Sequence, residues 1–176
     1  TNNVKAATKW NTSKSVTKEE NGIKYSAYLT EDGKESWIYQ IKLSKKITKL
    51  TLPKEIDQAK LTRVGFGKEL YNKGEDEDAY QNLFGDIIEP WHNCYGDLSN
   101  DDKNKQTIET VAISSTVNQL EIVTFSGMKK LKSVVIPEQT ALPIFNKVYV
   151  SKKAKKTYIK WAKDRDGLTW HDLHTF

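Results

Sequence analysis

Residues 108–114 read Ile-Glu-Thr-Val-Ala-Ile-Ser, and residues 131–137 repeat the pattern 23 positions later as Leu-Lys-Ser-Val-Val-Ile-Pro. Apolar residues stand at the first, fourth and sixth positions of both stretches. The same signature occurs upstream at 47–53 as Ile-Thr-Lys-Leu-Thr-Leu-Pro, and its last part returns at 148–151 as Val-Tyr-Val-Ser. A fixed period in the twenties is typical of a solenoid of stacked repeats, which usually presents a binding surface.

The spacing within each signature predicts a short strand. Side chains alternate between the two faces of a strand, so the fourth and sixth positions share one face and the fifth points the other way. Parallel stacking of such strands buries the paired apolar residues in a continuous ladder that one unit alone could not bury. It also lines up an outward row, which contains Thr51, Ala112, Val135 and Tyr149.

Residues 117–137 resemble the BspA-like class of bacterial leucine-rich repeats, which occurs in secreted and cell-surface proteins. The matching positions are Val117, Leu120, Phe125, Gly127 and the closing Val134-Val-Ile-Pro137. Thr124 and Met128 depart from the Ala and Cys that are common in that class. The resemblance implies a leucine-rich-repeat fold, an extracellular address and a binding role, and it supplies no catalytic residue.

The predicted fold class is α+β. We expect a short leucine-rich-repeat solenoid of parallel strands with short helical or turn connections, an N-terminal β-hairpin cap and a C-terminal capping helix. The hairpin is indicated by alternating segments at 22–29 and 36–43 around the turn residues Asp32 and Gly33. The capping helix follows from apolar residues at helical spacing after Ser151. The predicted organisation is a flexible lead or linker at 1–20, the hairpin cap at 21–46, the repeat domain at 47–165 with an acidic insertion at 67–104, and a C-terminal tail at 166–176.

Charge is segregated along the chain. Residues 68–102 hold two lysines against ten acids, and residues 129–165 hold ten lysines and one arginine against two acids, so a net charge of +5 conceals a dipolar chain. An insertion of about 38 residues separates the first signature from the second, and insertions in repeat proteins often bind ligands. The basic end could attract an anionic cell-wall polymer, although the same lysines also suit the solvated face of the capping helix.

The candidate binding residues are Trp91, His92 and Tyr95 of the insertion, together with the outward row of strand residues. A competing hypothesis is a hydrolase that uses His92, Cys94 and Asp97, but no family signature surrounds this cysteine. His171 and His174 form a His-x-x-His pair that lacks further ligands at zinc spacing. We therefore predict no catalytic residue, no metal site and no cofactor.

The predicted function is a non-catalytic bacterial surface or secreted leucine-rich-repeat module that binds or adheres to a protein or a glycan. Electrostatic cell-wall attachment through the lysine-rich C-terminal helix is the third hypothesis. No nucleic-acid motif is present, and no apolar run approaches the roughly 20 residues of a membrane-spanning helix. The resemblance implies an extracellular or cell-surface location. Because the chain begins at Thr1 rather than Met, this expectation includes a signal peptide that has been removed.

Overall fold

The computed structural model describes residues 9–65, 67–70, 80–81, 83–84, 87–88, 103–121, 130–135, 148–150 and 173–175. Over these residues the chain is built from thirteen strands and two short 3₁₀ turns, Lys68–Leu70 and Lys105–Thr107, with no α-helix. The strands are β1 (Trp10–Glu20), β2 (Ile23–Thr30), β3 (Glu35–Leu43), β4 (Lys49–Thr51), β5 (Glu55–Ile56), β6 (Ala59–Val64), β7 (Tyr80–Gln81), β8 (Ile87–Ile88), β9 (Thr110–Ala112), β10 (Gln119–Leu120), β11 (Ser133–Val135), β12 (Val148–Val150) and β13 (Leu173–Thr175).

The first sheet is mixed and has the strand order β1-β2-β3-β6-β10, with β5 paired to β6. Strands β1, β2 and β3 form an antiparallel meander, whereas β6 runs parallel to β3 and β10 runs parallel to β6. Aromatic and β-branched residues are frequent in β2 and β3, as is usual for half-buried strands. This sheet supplies one side of the core.

The turn between β2 and β3 follows from its sequence. Asp32 Oδ1 accepts hydrogen bonds from Thr30 Oγ1 (2.6 Å) and from the backbone N–H of Lys34 (3.1 Å). Gly33 takes a φ of 71°, which costs glycine little because it has no Cβ. The hairpin predicted around Asp32 and Gly33 is confirmed, since Leu29 lies opposite Ser36 and the pairing continues to Ile23 opposite Leu43.

The second sheet contains three parallel strands in the order β4-β9-β11. Leu50 lies beside Val111, and Val111 lies beside Val134, so the strand signatures of the sequence pair in register. Leu50 and Val111 are buried because their side chains share the inner face of the sheet. The parallel stacking predicted for these three signatures is confirmed.

Both sheets contribute to one hydrophobic core. After β3 the chain crosses repeatedly between the sheets, visiting β4, β6, β9, β10 and β11 in that order. The core joins Ile38, Ile41 and Leu61 of the first sheet to Leu50 and Val111 of the second. Burial of each such side chain stabilises the fold by roughly 1.5–3 kcal/mol relative to exposure.

The predicted fold class is wrong. The chain is a mixed β-sheet protein rather than a leucine-rich-repeat solenoid with a hairpin cap and a capping helix. The hairpin is not a separate cap, because β3 pairs with β2 on one side and with β6 on the other. The connections that the structure describes are turns and two 3₁₀ segments rather than helices. The proposed capping helix at 151–163 lies outside the described residues.

Residues 10–20 also differ from the prediction of a flexible lead. They form β1, which pairs with β2 from Trp10 opposite Thr30 to Glu20 opposite Ile23. β1 is the edge strand of the first sheet and most of its residues are exposed, which explains why it carries few apolar residues. Backbone pairing rather than side-chain burial holds most of this strand in place.

The insertion and the C-terminal end show two more differences. Leu83 and Phe84 of the predicted excursion are buried in the shared core, and the carbonyl of Leu83 accepts a hydrogen bond from the N–H of Ile41 (2.8 Å). At the C-terminal end, β12 pairs in parallel with β13 rather than with β11. The fourth signature therefore does not extend the ladder of the other three, and residues 173–175 of the predicted tail form a strand.

Candidate binding surface

The outer face of the second sheet is the candidate site, and we define it by six residues in two rows. Because the three strands are parallel and in register, equivalent residues lie side by side across the sheet. One row is Lys49, Thr110 and Ser133, and the other is Thr51, Ala112 and Val135.

The side chains of this outer face are mostly small, and the face is accessible to solvent. Val135 is 56% exposed and is the one exposed large apolar side chain within the described part of the chain. Lys49 and Thr51 are also exposed, while Thr110, Ala112 and Ser133 are half-buried. The face thus combines hydroxyl groups, methyl groups and one ammonium group on a flat surface that a protein or a sugar can contact.

An exposed ion pair flanks the outer face. Lys132 Nζ lies 2.7 Å from Glu109 Oε1, and the backbone N–H of Lys132 donates to the carbonyl of Glu109 (2.8 Å). Exposed pairs of this kind contribute about 0–1 kcal/mol. The backbone bond, rather than the ion pair, is therefore the stronger constraint on the start of β11.

A second cluster, which the sequence reasoning missed, lies on the first sheet outside the core. The rings of Tyr28 and Tyr39 stack with centroids 4.3 Å apart, and Tyr28 also packs against Trp37 at 5.4 Å. Trp10 meets Trp37 edge-on at 5.8 Å. The alternation of Trp37 and Tyr39 in β3 was the available signal. Because the rings cover one another and Trp37 is fully buried, this cluster serves packing more than recognition.

Arg63 anchors that cluster through charge. Its guanidinium carbon lies 3.7 Å from the ring centroid of Trp37, which is close enough for a cation–π interaction. Arg63 Nε donates to Glu121 Oε1 (2.6 Å), and its two terminal nitrogens reach Glu69 at 2.8 and 3.2 Å. Burial raises the pKa of Glu121, and the charge of Arg63 opposes that rise. The group holds together β6, β10 and the segment that leaves β6.

Lys105 is a buried lysine in the second 3₁₀ turn. Its Nζ lies 5.9 Å from the ring centroid of Phe84, and burial lowers the pKa of its ammonium group from 10.5 to about 7. Lys105 is the first residue of the 3₁₀ turn that precedes β9, and it is buried there. Its location is away from the exposed outer face, and we assign it no role in binding.

The structure brings together three of the predicted site residues, Thr51, Ala112 and Val135. Tyr149 belongs to β12, which pairs with β13 in a separate two-stranded sheet, so the predicted row is wrong at this position. Several predicted residues lie outside the described residues, namely Trp91, His92 and Tyr95, the proposed hydrolase group His92, Cys94 and Asp97, His171, and the lysines of the proposed capping helix.

The described residues also bear on two classes of site. They contain no group of three or more His, Cys, Asp or Glu side chains that could hold a metal ion. None of the same residues form a helix with the length and apolar character needed to span a membrane.

In comparisons with known proteins, no family model, no curated protein and no solved structure matches the chain.

Proposed function

We propose that this chain is a non-catalytic binding module that recognises a protein or a glycan through the outer face of its second sheet. The observation that carries the proposal is the exposed apolar side chain of Val135, which lies in one row with Ala112 and Thr51. Contiguous apolar surface rimmed by polar groups often marks a contact site, and Val135 and Ala112 are neighbours across the sheet. The resemblance of residues 117–137 to bacterial surface proteins supports a secreted or cell-surface location as part of the same proposal.

The chemistry of the outer face favours recognition by shape. Thr51, Thr110 and Ser133 carry hydroxyl groups that can donate and accept hydrogen bonds. Ala112 and Val135 supply apolar contact area between them. A ligand that covers this face would bury the isopropyl group of Val135, and burial of that apolar surface would favour binding.

Val135→Asp is expected to weaken binding of any ligand found by a screen of immobilised glycans and secreted proteins at least tenfold, or about 1.4 kcal/mol. The reason is that a carboxylate in place of the isopropyl group must be desolvated in the complex. Binding is measured by surface plasmon resonance. The matched control is Lys14→Asp, because Lys14 is exposed on β1 of the other sheet.

Thermal unfolding of both variants separates binding from folding. Since Val135 is exposed, we expect its substitution to change the free energy of unfolding by less than about 0.5 kcal/mol. Equal binding by the Val135→Asp variant and the parent protein would contradict the proposal. So would a screen in which no protein and no glycan is retained.

A further inference from the structure

At one side of the shared core, the first sheet extends further than the second. The first sheet continues beyond β3 with β2 and β1, whereas in the part of the chain that the structure describes the second sheet ends at β4. Part of β2 therefore faces the space beside β4 rather than a strand of the second sheet. The half-buried Ile23 and Ile47 border this space and pack against the core.

A groove of about 540 Å³ occupies that space. Strand β4 forms one wall, and the turn after β1 with the start of β2 forms the other. Its surface mixes polar and apolar groups, contributed by Glu20, Asn21, Ile23, Tyr25, Lys45, Ile47, Lys49, Thr51, Leu52 and Pro53. Burial, helped by the charge of Glu20, raises the pKa of Tyr25 to about 12, so its hydroxyl stays neutral. The groove is open at the surface.

Among the strands that the structure describes, none pairs with β4 on the groove side. The carbonyl of Thr48 accepts hydrogen bonds from β9 and its approach, and the N–H of Leu52 donates to the carbonyl of Ala112 (3.0 Å). Backbone groups alternate in direction along a strand, so those of Lys49 and Thr51 point away from β9 and toward the groove. An edge of this kind is where a further strand can add to a sheet.

The charge of β4 and its flanking residues favours one kind of added strand. Residues 44–54 contain four lysines, at 45, 46, 49 and 54, and no acidic residue. All four lysines are exposed, and two of them, Lys45 and Lys49, line the groove together with a single acidic residue, Glu20. A second copy of β4 would bring lysines against lysines, which disfavours self-pairing. An acidic segment would instead meet complementary charge on the β4 side of the groove.

We propose that the free edge of β4 binds an extended acidic peptide segment of a partner protein, which adds to the second sheet as a further strand. Alternate side chains of the peptide would contact Ile23 and Ile47 inside the groove, while the others, which are acidic, would lie near Lys49. The inference rests on the proposed function only in taking a protein as the ligand, because it assigns the edge of the sheet rather than its outer face.

The test uses a capped octapeptide of alternating glutamate and valine, with binding measured by isothermal titration calorimetry. We expect Thr51→Pro to weaken binding at least tenfold, because proline removes the N–H that points into the groove. Thr51→Val is the matched control, since it keeps that N–H and is expected to bind within about twofold of the parent protein. Peptide with lysine in place of glutamate should not bind measurably.

Two further readouts keep the test decisive if the proline variant folds poorly. Amide hydrogen exchange at Lys49 and Thr51 should be fast in the free protein and at least tenfold slower with saturating peptide. Val135→Asp should retain peptide binding, which separates the groove from the outer face. Loss of the proposed function with intact peptide binding would thus leave this inference standing.

Three results of the peptide-binding and exchange experiments would each overturn the proposal. They are no binding of the glutamate–valine peptide, equal binding by the Thr51→Pro and Thr51→Val variants, and unchanged exchange at Lys49 and Thr51. Concentration-dependent dimerisation in sedimentation experiments that Thr51→Pro abolishes would also overturn it, because it would identify a second copy of the chain as the occupant.

Discussion

Replacing Arg63 with methionine is expected to lower the free energy of unfolding by about 3–5 kcal/mol. The side chain of Arg63 is 4% exposed and that of Glu121 is 9% exposed, so the substitution leaves a buried carboxylate without the charge that faces it. It also removes the cation–π contact with Trp37. Urea denaturation followed by tryptophan fluorescence measures the effect.

The exposed Lys132–Glu109 pair supplies the matched control. Lys132→Met should change the free energy of unfolding by less than about 1 kcal/mol, because both partners are largely solvated. Combining Arg63→Met with Glu121→Gln should recover part of the loss, since the glutamine carries no charge to bury. An Arg63→Met variant as stable as Lys132→Met would show that the buried pair is not formed as described.

Replacing Lys105 with methionine is expected to raise the free energy of unfolding at pH 7 by up to about 4 kcal/mol. The physical reason is that burial lowers the pKa of the Lys105 ammonium group to about 7, from 10.5 when it is exposed. Methionine has a similar length and no charge, so it occupies a buried position without this cost. Thermal and urea unfolding of the two proteins measure the difference.

The lowered pKa of Lys105 also determines how the stability difference between the two proteins changes with pH. Between pH 7 and 10.5 the unfolded chain keeps the Lys105 proton and the folded chain loses it, so the contribution of this residue to stability rises with pH. The advantage of the methionine variant should therefore be full below pH 7 and shrink toward pH 10. Other ionisable groups titrate in both proteins and cancel in the difference. A stability difference that does not change with pH would contradict the buried position of Lys105.

The second sheet was predictable because its signal is local and repeated. Each signature needs only two apolar residues with one residue between them, as in Leu50 and Leu52 or in Val111 and Ile113. Parallel pairing then fixes which residues face outward. The same reasoning failed for β12, since its spacing does not reveal that Leu173–Thr175 competes with β11 as a pairing partner.

The first sheet was predictable only in part. The hairpin around Asp32 and Gly33 follows from its turn residues, but β1 has few apolar side chains, a composition that predicts a flexible lead or linker. A signal was nevertheless present in Asn21 and Gly22, which take φ values of 51° and 77° and form the tight turn between β1 and β2. Asn-Gly is the strongest short-range indicator of such a turn.

Other features depend on contacts between distant residues. The burial of Arg63 in β6 requires Glu121, which is 58 positions further along the chain, so no local pattern identifies it. The groove beside β4 exists because one sheet has more strands than the other, which only the assembled topology reveals. The outer row was predictable at Thr51, Ala112 and Val135 for the opposite reason, because it follows from strand periodicity alone.

The central claim is that β4, β9 and β11 pair in parallel and in register, since both the outer face and the free edge depend on it. Nuclear Overhauser spectroscopy of the isotope-labelled protein tests this most directly. Parallel pairing predicts cross-strand backbone contacts that link Leu50 to Val111 and Val111 to Val134. Antiparallel contacts, a register shifted by one residue, or no contact between these strands would contradict it, because each would move Val135 away from Ala112 and Thr51.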